Sequence, residues 1–130
     1  MQPRKHQRIT ALCLALLLLA AALSACGPRK EALLVGRWLA DYQVELNTGE
    51  KELFDPTDTF FFRFEADGTG EMGWTTGDSY AFRWVLDEDM LTIQVEDPPE
   101  SLQLTIQELT PTELIAEANG FRSRMIKEGS

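Results

Sequence analysis

From Gly36 onward, apolar residues recur at every second position of the chain, and turn-forming residues interrupt this pattern roughly every 8–12 residues. In segment 91–96, for example, Leu, Ile and Val alternate with Thr, Gln and Glu. Successive side chains of a β-strand point to opposite faces, so each such segment predicts a strand with one buried and one solvent-facing side. A helical period is nearly absent. The pattern therefore predicts an all-β fold.

Groups rich in Asp, Gly, Pro and Asn divide this pattern into eight segments, with Asp67-Gly68 and Asn119-Gly120 as two of the dividing turns. The predicted strands span 36–46, 59–65, 70–76, 79–86, 90–96, 101–108, 113–118 and 121–127. One helical turn is expected before them, over 31–35. Eight antiparallel strands joined by short connections most simply close as an up-and-down barrel, which leaves no strand edge open. A two-sheet β-sandwich is the alternative.

The N-terminal segment has the pattern of a secretory signal. Residues 1–8 carry Arg4, Lys5 and Arg8 with no acidic residue, and 9–25 form an apolar run of 17 residues. This run is slightly shorter than the about 20 residues that span a bilayer as a helix, so an uncleaved anchor is the less favoured interpretation.

The end of this run, Leu23-Ser24-Ala25-Cys26, resembles the lipobox of bacterial lipoproteins. The resemblance implies acylation of the Cys26 sulfur, with chains such as palmitate, and cleavage before that residue. We therefore expect a lipoprotein signal peptide at 1–25, a lipidated cysteine with a short tether at 26–35, and a barrel domain at 36–130. The expected location is the extracytoplasmic face of a bacterial cell membrane or envelope, where the lipid anchors the protein.

Composition excludes several classes of chemistry. Without its first 25 residues the chain keeps nine basic and 21 acidic side chains, a net charge of −12, which argues against a nucleic-acid partner. The chain's one histidine, His6, and one of its two cysteines, Cys13, lie in the removed segment, and the other cysteine is expected to be acylated. His- or Cys-dependent catalysis and zinc binding are therefore not expected. We expect no enzyme activity, no cofactor and no metal.

Three motifs resemble the lipocalin-like domain of small bacterial lipoproteins, over about residues 31–127. They are Gly36-Arg37-Trp38 at the start of the first strand, the Phe64–Gly70 hairpin with its Asp-Gly-Thr-Gly, and the Trp-containing strand Phe82–Leu86. The resemblance supports the barrel and implies a binding function.

The same resemblance assigns structural roles at the closed end of the barrel. It implies that Trp38 packs there beneath Arg122 or Arg124 from the last strand, in a cation–π contact.

Connections of an up-and-down barrel alternate between its two ends, so the long 47–58 connection is expected at the mouth, opposite Trp38. This connection is interpreted either as a lid or Ω-loop or as a plain connection whose apolar residues plug the barrel. The candidate ligand-binding residues are Leu53, Phe54, Phe62, Trp74, Tyr80, Phe82 and Trp84.

The barrel wall is expected to include further inward-facing residues, namely Tyr42, Val44, Phe60, Phe64, Leu91, Ile93, Leu102, Leu104, Leu114 and Phe121. Phe61 is expected to face outward, where it is a candidate partner contact.

These features predict a membrane-anchored, non-catalytic binding module for a small apolar or amphipathic ligand that lacks a carboxylate, because the mouth is acidic. The alternative is an interaction or inhibitor module, in which a filled barrel presents an acidic surface to a protein partner in the cell envelope. A cavity of about 300 Å³ or more distinguishes the first from the second. The oligomeric state is not predicted.

Overall fold

The computed structural model describes residues 29–129, which form one short helix followed by nine β-strands. Helix α1 is Lys30–Leu34, and the strands are β1 Gly36–Glu45, β2 Lys51–Leu53, β3 Phe60–Phe64, β4 Thr69–Trp74, β5 Ser79–Asp87, β6 Met90–Val95, β7 Glu100–Leu109, β8 Glu113–Ala118 and β9 Phe121–Lys127. Each of the eight predicted segments overlaps one strand, with ends that agree to within two residues, and α1 overlaps the predicted helical turn. The predicted signal peptide at 1–25 and the lipidation site Cys26 lie outside the described residues. No helix within 29–129 has the length and apolar character to cross a membrane.

The strands form a closed antiparallel barrel. From β3 to β9 each strand pairs with the next along the chain, and β1 pairs with both β3 and β9. The β1–β9 pairing runs from Trp38 opposite Lys127 to Glu45 opposite Phe121, and it closes the sheet on itself. The predicted up-and-down barrel is confirmed, and the two-sheet sandwich is not formed.

The additional strand, β2, lies in the predicted 47–58 connection. Since β9 occupies one edge of β1, β2 and β3 follow one another along the other edge. Tyr42 pairs with Leu53 of β2, and Leu39 pairs with Phe61 of β3. The two β1 residues are three positions apart in the sequence, whereas their partners are eight positions apart. The difference of five residues forms an excursion between β2 and β3. The long connection is therefore a hairpin strand followed by a tight turn, rather than one open loop.

Helix α1 covers the closed end of the barrel. Leu34 and Trp38 are both completely buried there, and the Nζ of Lys127 lies 5.2 Å from the centre of the Trp38 ring. The same Nζ donates a hydrogen bond of 3.1 Å to the carbonyl oxygen of Leu33. Lys30 of α1 forms an ion pair with Asp89 in the β5–β6 turn. These contacts attach the helix to both sides of the barrel end.

The cation over Trp38 is thus Lys127, and the expected contact with Arg122 or Arg124 is wrong. The β1–β9 register explains the difference, since it sets Lys127 opposite Trp38 but Arg122 opposite Val44 and Arg124 opposite Tyr42, nearer the mouth. Both arginines form ion pairs instead: Arg122 with Glu117, and Arg124 with Asp41 and Glu113. The Glu113 and Asp41 carboxylates raise the pKa of Arg124 above its usual value.

Aromatic rings fill the half of the barrel nearest α1. The centre of the Phe64 ring lies 5.5 Å from that of Phe82 and 5.6 Å from that of Trp84, both in edge-on geometry. The indole nitrogen of Trp84 donates hydrogen bonds of 3.1 and 3.0 Å to the carbonyl oxygens of Glu65 and Thr69. With its polar atom bonded and its ring packed, Trp84 belongs to a solid core.

Two of the expected wall residues, Tyr42 and Val44, do not face the interior, because β1 contains a β-bulge. The pairing with β9 shifts by one residue between Ala40 and Tyr42, and such an extra residue reverses which face the following side chains occupy. Ala40 and Gln43 face the interior, whereas Tyr42 and Val44 point outward. The Nζ of Lys51 lies 4.1 Å from the centre of the Tyr42 ring on the outer face.

Phe61 lies outside the aromatic core, as expected, but its side chain is not exposed to solvent. Only 7% of the residue is exposed, because the guanidinium of Arg37 lies 4.6 Å from the centre of its ring. The side chain that was a candidate partner contact is therefore covered by the protein itself.

Candidate ligand cavity

A cavity of about 370 Å³ opens at the end of the barrel opposite α1. Its lining residues are Ala40, Gln43, Phe54, Phe60, Phe62, Trp74, Leu102, Leu104, Ala118, Asn119, Phe121, Ser123 and Met125. Phe54 comes from the excursion between β2 and β3, and Asn119 from the β8–β9 turn. The 47–58 connection was expected at the mouth, and the cavity lies between it and the β8–β9 turn.

Small side chains on one side of the barrel make this space. Ala40 of β1, Ala118 of β8 and Ser123 of β9 line the cavity, whereas β3 and β4 contribute Phe60, Phe62 and Trp74. An eight-stranded barrel is just wide enough for side chains to fill or for one small ligand to enter. Small residues on one wall therefore leave the room that phenyl and indole rings take up elsewhere.

Four aromatic residues form one wall of the cavity, which we call the aromatic wall: Phe54, Phe60, Phe62 and Trp74. The ring centre of Trp74 lies 5.7 Å from that of Phe60, edge-on, and 6.2 Å from that of Phe54. Phe60 in turn contacts Phe62 at 5.2 Å between ring centres. Trp74 is 46% exposed, so this wall continues from the core to the opening of the cavity.

Three uncharged polar residues from β1, the β8–β9 turn and β9 also line the cavity, and we call them the polar wall: Gln43, Asn119 and Ser123. Gln43 and Ser123 are direct cross-strand partners in the β1–β9 pairing. Asn119 adopts a left-handed backbone conformation, with φ of 52°, in the β8–β9 turn. Among residues 29–129 none of these three side chains makes a hydrogen bond, so their amide and hydroxyl groups are available to a ligand.

The opening of the cavity is acidic. A neighbouring hollow shares Gln43 and Phe121 with the cavity and is otherwise lined by Glu45, Glu50, Lys51 and Glu52. Three carboxylates thus face one ammonium group, which itself packs against the Tyr42 ring. The electrostatic potential at this side of the mouth is therefore negative at neutral pH.

Of the seven candidate ligand-binding residues, Phe54, Phe62 and Trp74 line the cavity. Phe82 and Trp84 lie in the solid core below it, because their rings pack on Phe64.

The other two candidates, Leu53 and Tyr80, lie at the rim, where they are 72% and 44% exposed and do not line the cavity. Leu53 belongs to β2, all three residues of which are exposed, and Tyr80 is the second residue of β5, where that strand leaves the mouth.

The sequence reasoning did not identify six residues of the lining, five of them small or polar and one a methionine: Ala40, Gln43, Ala118, Asn119, Ser123 and Met125. The alternation of Phe121, Ser123 and Met125 in the last strand would have been a sufficient signal for the β9 positions. Ala40 follows the inward-facing Trp38 by two residues, so alternation would also have found it. For Gln43 the sequence carries no such signal, since the bulge that turns it inward is not visible in the alternation.

The described part of the chain contains no group of three or more His, Cys, Asp or Glu residues arranged to hold a metal ion. The lining of the cavity contains no ionisable side chain. Its chemistry is therefore apolar packing combined with neutral hydrogen bonding.

Two solved structures share the barrel across most of their length. A crystal structure of a lipocalin-like protein from Bacteroides uniformis is 17% identical with a TM-score of 0.60, and covers 73% of this chain and 98% of its own. A crystal structure of an uncharacterized protein from Bacteroides eggerthii is 15% identical with a TM-score of 0.58, and covers 72% of this chain and 98% of its own.

A third similar structure, determined by NMR for a protein from Bacteroides uniformis, is 19% identical with a TM-score of 0.55, and covers 77% of this chain and 93% of its own. At these identities the similarity shows the fold alone. No curated protein matches the sequence. The family model of the lipocalin-like domain matches residues 34–116, which is more than half of the chain. The protein therefore belongs to the lipocalin-like domain family.

Proposed function

We propose that this protein is a non-catalytic binding module that holds a small apolar or amphipathic molecule in the open end of its barrel. The observation that carries the proposal is the cavity of about 370 Å³ beside the aromatic wall. Ligand pockets in proteins begin at about 300 Å³ and are mostly apolar with a few polar groups, which describes this cavity. Transfer of an apolar molecule from water to such a surface is favourable.

We further propose that a lipid on Cys26 anchors the module to the extracytoplasmic face of a bacterial membrane. The lipobox-like Leu23-Ser24-Ala25-Cys26 after an apolar run supports this location. Residues 27–29 separate Cys26 from α1, and three extended residues reach about 10 Å at most. Since α1 covers the closed end, such a tether holds that end near the lipid and directs the cavity away from the membrane.

The binding proposal is tested on a soluble form of residues 27–130, which contains every strand of the barrel. An apolar fluorescent probe is expected to bind this form in a 1:1 ratio and to be displaced by small amphiphiles. Native mass spectrometry of protein purified from a bacterial lysate is expected to show a retained adduct. A cooperatively folded protein with neither probe uptake nor an adduct would contradict the proposal.

A matched pair of variants tests whether the probe binds in the cavity. Ser123→Leu fills part of the cavity and is expected to weaken probe binding about tenfold or more. Ser101→Leu makes the same change at an exposed position of β7, next to the lining residue Leu102, and is expected to leave binding unchanged. Equal effects of the two variants would place the probe elsewhere on the protein.

The anchoring proposal is tested by Cys26→Ala in the full chain. This variant is expected to lose acylation, seen by mass spectrometry, and to leave the membrane fraction. Unchanged membrane retention would favour an uncleaved N-terminal helix, with the probe-binding result unaffected.

A further inference from the structure

The two walls of the cavity differ in chemistry, and this difference selects among amphiphiles. Building on the proposed binding function, we propose that the cavity takes an uncharged amphiphile whose head group both donates and accepts hydrogen bonds, such as a primary amide or a glycerol ester. The head group contacts the polar wall of Gln43, Asn119 and Ser123, and the apolar part packs against the aromatic wall.

Hydrogen bonding favours a polar head group over a purely apolar ligand. The Gln43 carboxamide offers two donors and one acceptor group, and the Ser123 hydroxyl offers both functions. Gln43 and Ser123 are half-buried partners in one strand pair, and neither side chain is hydrogen-bonded within residues 29–129. A ligand that expelled water without replacing its hydrogen bonds would leave these groups unsatisfied, at a cost in affinity. A complementary head group avoids that cost.

Charge disfavours an ionised head group at the same place. None of the 13 lining residues is ionisable, so a charge bound at the polar wall would lose hydration without gaining a counter-charge. A carboxylate would also face the adjoining hollow, where three glutamates, Glu45, Glu50 and Glu52, outnumber the one cation, Lys51. An ammonium group would be attracted to those glutamates, and would therefore leave the polar wall without a hydrogen-bonding partner.

The cavity volume sets the size of the part of the ligand that the barrel can enclose. At about 30 Å³ for each water-sized group, the cavity of about 370 Å³ holds about a dozen non-hydrogen atoms. Decanamide, decanoate and decylammonium have about this size and share one chain length. They differ only in the charge and hydrogen-bonding groups of the head.

These three compounds are titrated against the bound fluorescent probe in the soluble form, at pH 7 and below their micelle concentrations. Decanamide is expected to displace the probe at concentrations about tenfold lower than decanoate, and also lower than decylammonium. Displacement by all three compounds at equal concentrations, or by decanoate at the lowest concentration, would overturn the inference. Displacement by decylammonium at the lowest concentration would also overturn it, and would place the head group at the acidic hollow. Failure of all three to displace the probe from folded protein would contradict the proposed function itself.

Variants then test which residues create the preference. Gln43→Leu keeps the size of the side chain but removes its amide, and is expected to reduce the preference for decanamide over decanoate several-fold. The preference is the ratio of the two displacement concentrations on the same variant, so a change in probe affinity cancels. Gln103→Leu makes the same change at an exposed position of β7 and is expected to keep the preference. If Gln43→Leu fails to fold, Ser123→Ala replaces it. An unchanged preference in a folded polar-wall variant would overturn the assignment.

Discussion

The indole nitrogen of Trp38 donates a hydrogen bond of 2.8 Å to the carbonyl oxygen of Leu34, and both residues are completely buried. This bond joins the first barrel strand to the helix that covers the closed end. Lys127 strengthens the junction, because its ammonium group contacts both the Trp38 ring and the Leu33 carbonyl oxygen. The closed end therefore depends on Trp38, while the cavity lies at the other end of the barrel.

Trp38→Ala is expected to lower the free energy of unfolding by about 3–5 kcal/mol, since it removes a fully buried indole and leaves a cavity. Trp38→Phe keeps a ring but leaves the Leu34 carbonyl oxygen without its partner, so a loss of about 1–3 kcal/mol is expected. Urea unfolding measures both. Trp74→Ala, at a residue that is 46% exposed, is the matched control and is expected to cost less than Trp38→Ala. A negligible effect of Trp38→Ala would contradict the role of this residue.

Gly70→Ala is expected to destabilise the barrel by about 1–3 kcal/mol through overpacking. A Cβ atom at this position would overlap the carbonyl oxygen of Arg63 and the ring of Phe82, which is 2% exposed and unable to move away easily. Gly77→Ala is the control, because its nearest neighbour would be the Trp74 Cβ at 3.4 Å. Thermal or urea unfolding of the two variants compares them. Equal stability of both proteins would show that the core near Phe82 is looser than its packing indicates.

Asp67 is expected to make stability depend on pH in the acidic range. Its Oδ1 accepts hydrogen bonds of 2.6 Å from the Thr69 hydroxyl and 3.0 Å from the Thr69 N–H, and these lower the pKa of the carboxyl below 3.8. Because the folded-state pKa is the lower one, the stabilisation is fully present above about pH 4 and is lost as the pH falls through the folded-state value.

Asp67→Asn is therefore expected to destabilise the protein at pH 7 and to show a progressively smaller difference from the native protein as the pH falls through the folded-state pKa of Asp67. Urea unfolding at pH 7 and in acid measures this difference, with Asp78→Asn in the β4–β5 turn as the control. A constant difference at all pH values would show that the charged form of Asp67 is not what stabilises the turn.

Much of the barrel was predictable because its signals are local. Alternation of apolar and polar residues located all eight predicted strands, and Asp-Gly or Asn-Gly pairs located turns such as those at Gly68 and Gly120, where φ is positive. The β2 strand was not predicted, because its three residues are all exposed and show no alternation of apolar and polar side chains.

The cavity was predictable only in part. Phe54, Phe62 and Trp74 are large, apolar and near the mouth, and these properties are visible in the sequence. Gln43 was missed because a bulge sets its direction, and the bulge leaves no trace in the alternation. Ala40 precedes the bulge and was missed because a small side chain was not considered for the lining.

By itself, the sequence determined the class of fold and the order of the barrel strands, because period-two patterning and turn chemistry act over a few neighbouring residues. The position of Trp38 at the closed end was expected only from the family resemblance. Only the tertiary structure decided which cation covers Trp38, which side chains of β1 face inward and where space remains. These depend on the register between β1 and β9, which lie at opposite ends of the chain. A shift of one residue in that register exchanges the inner and outer faces of a strand.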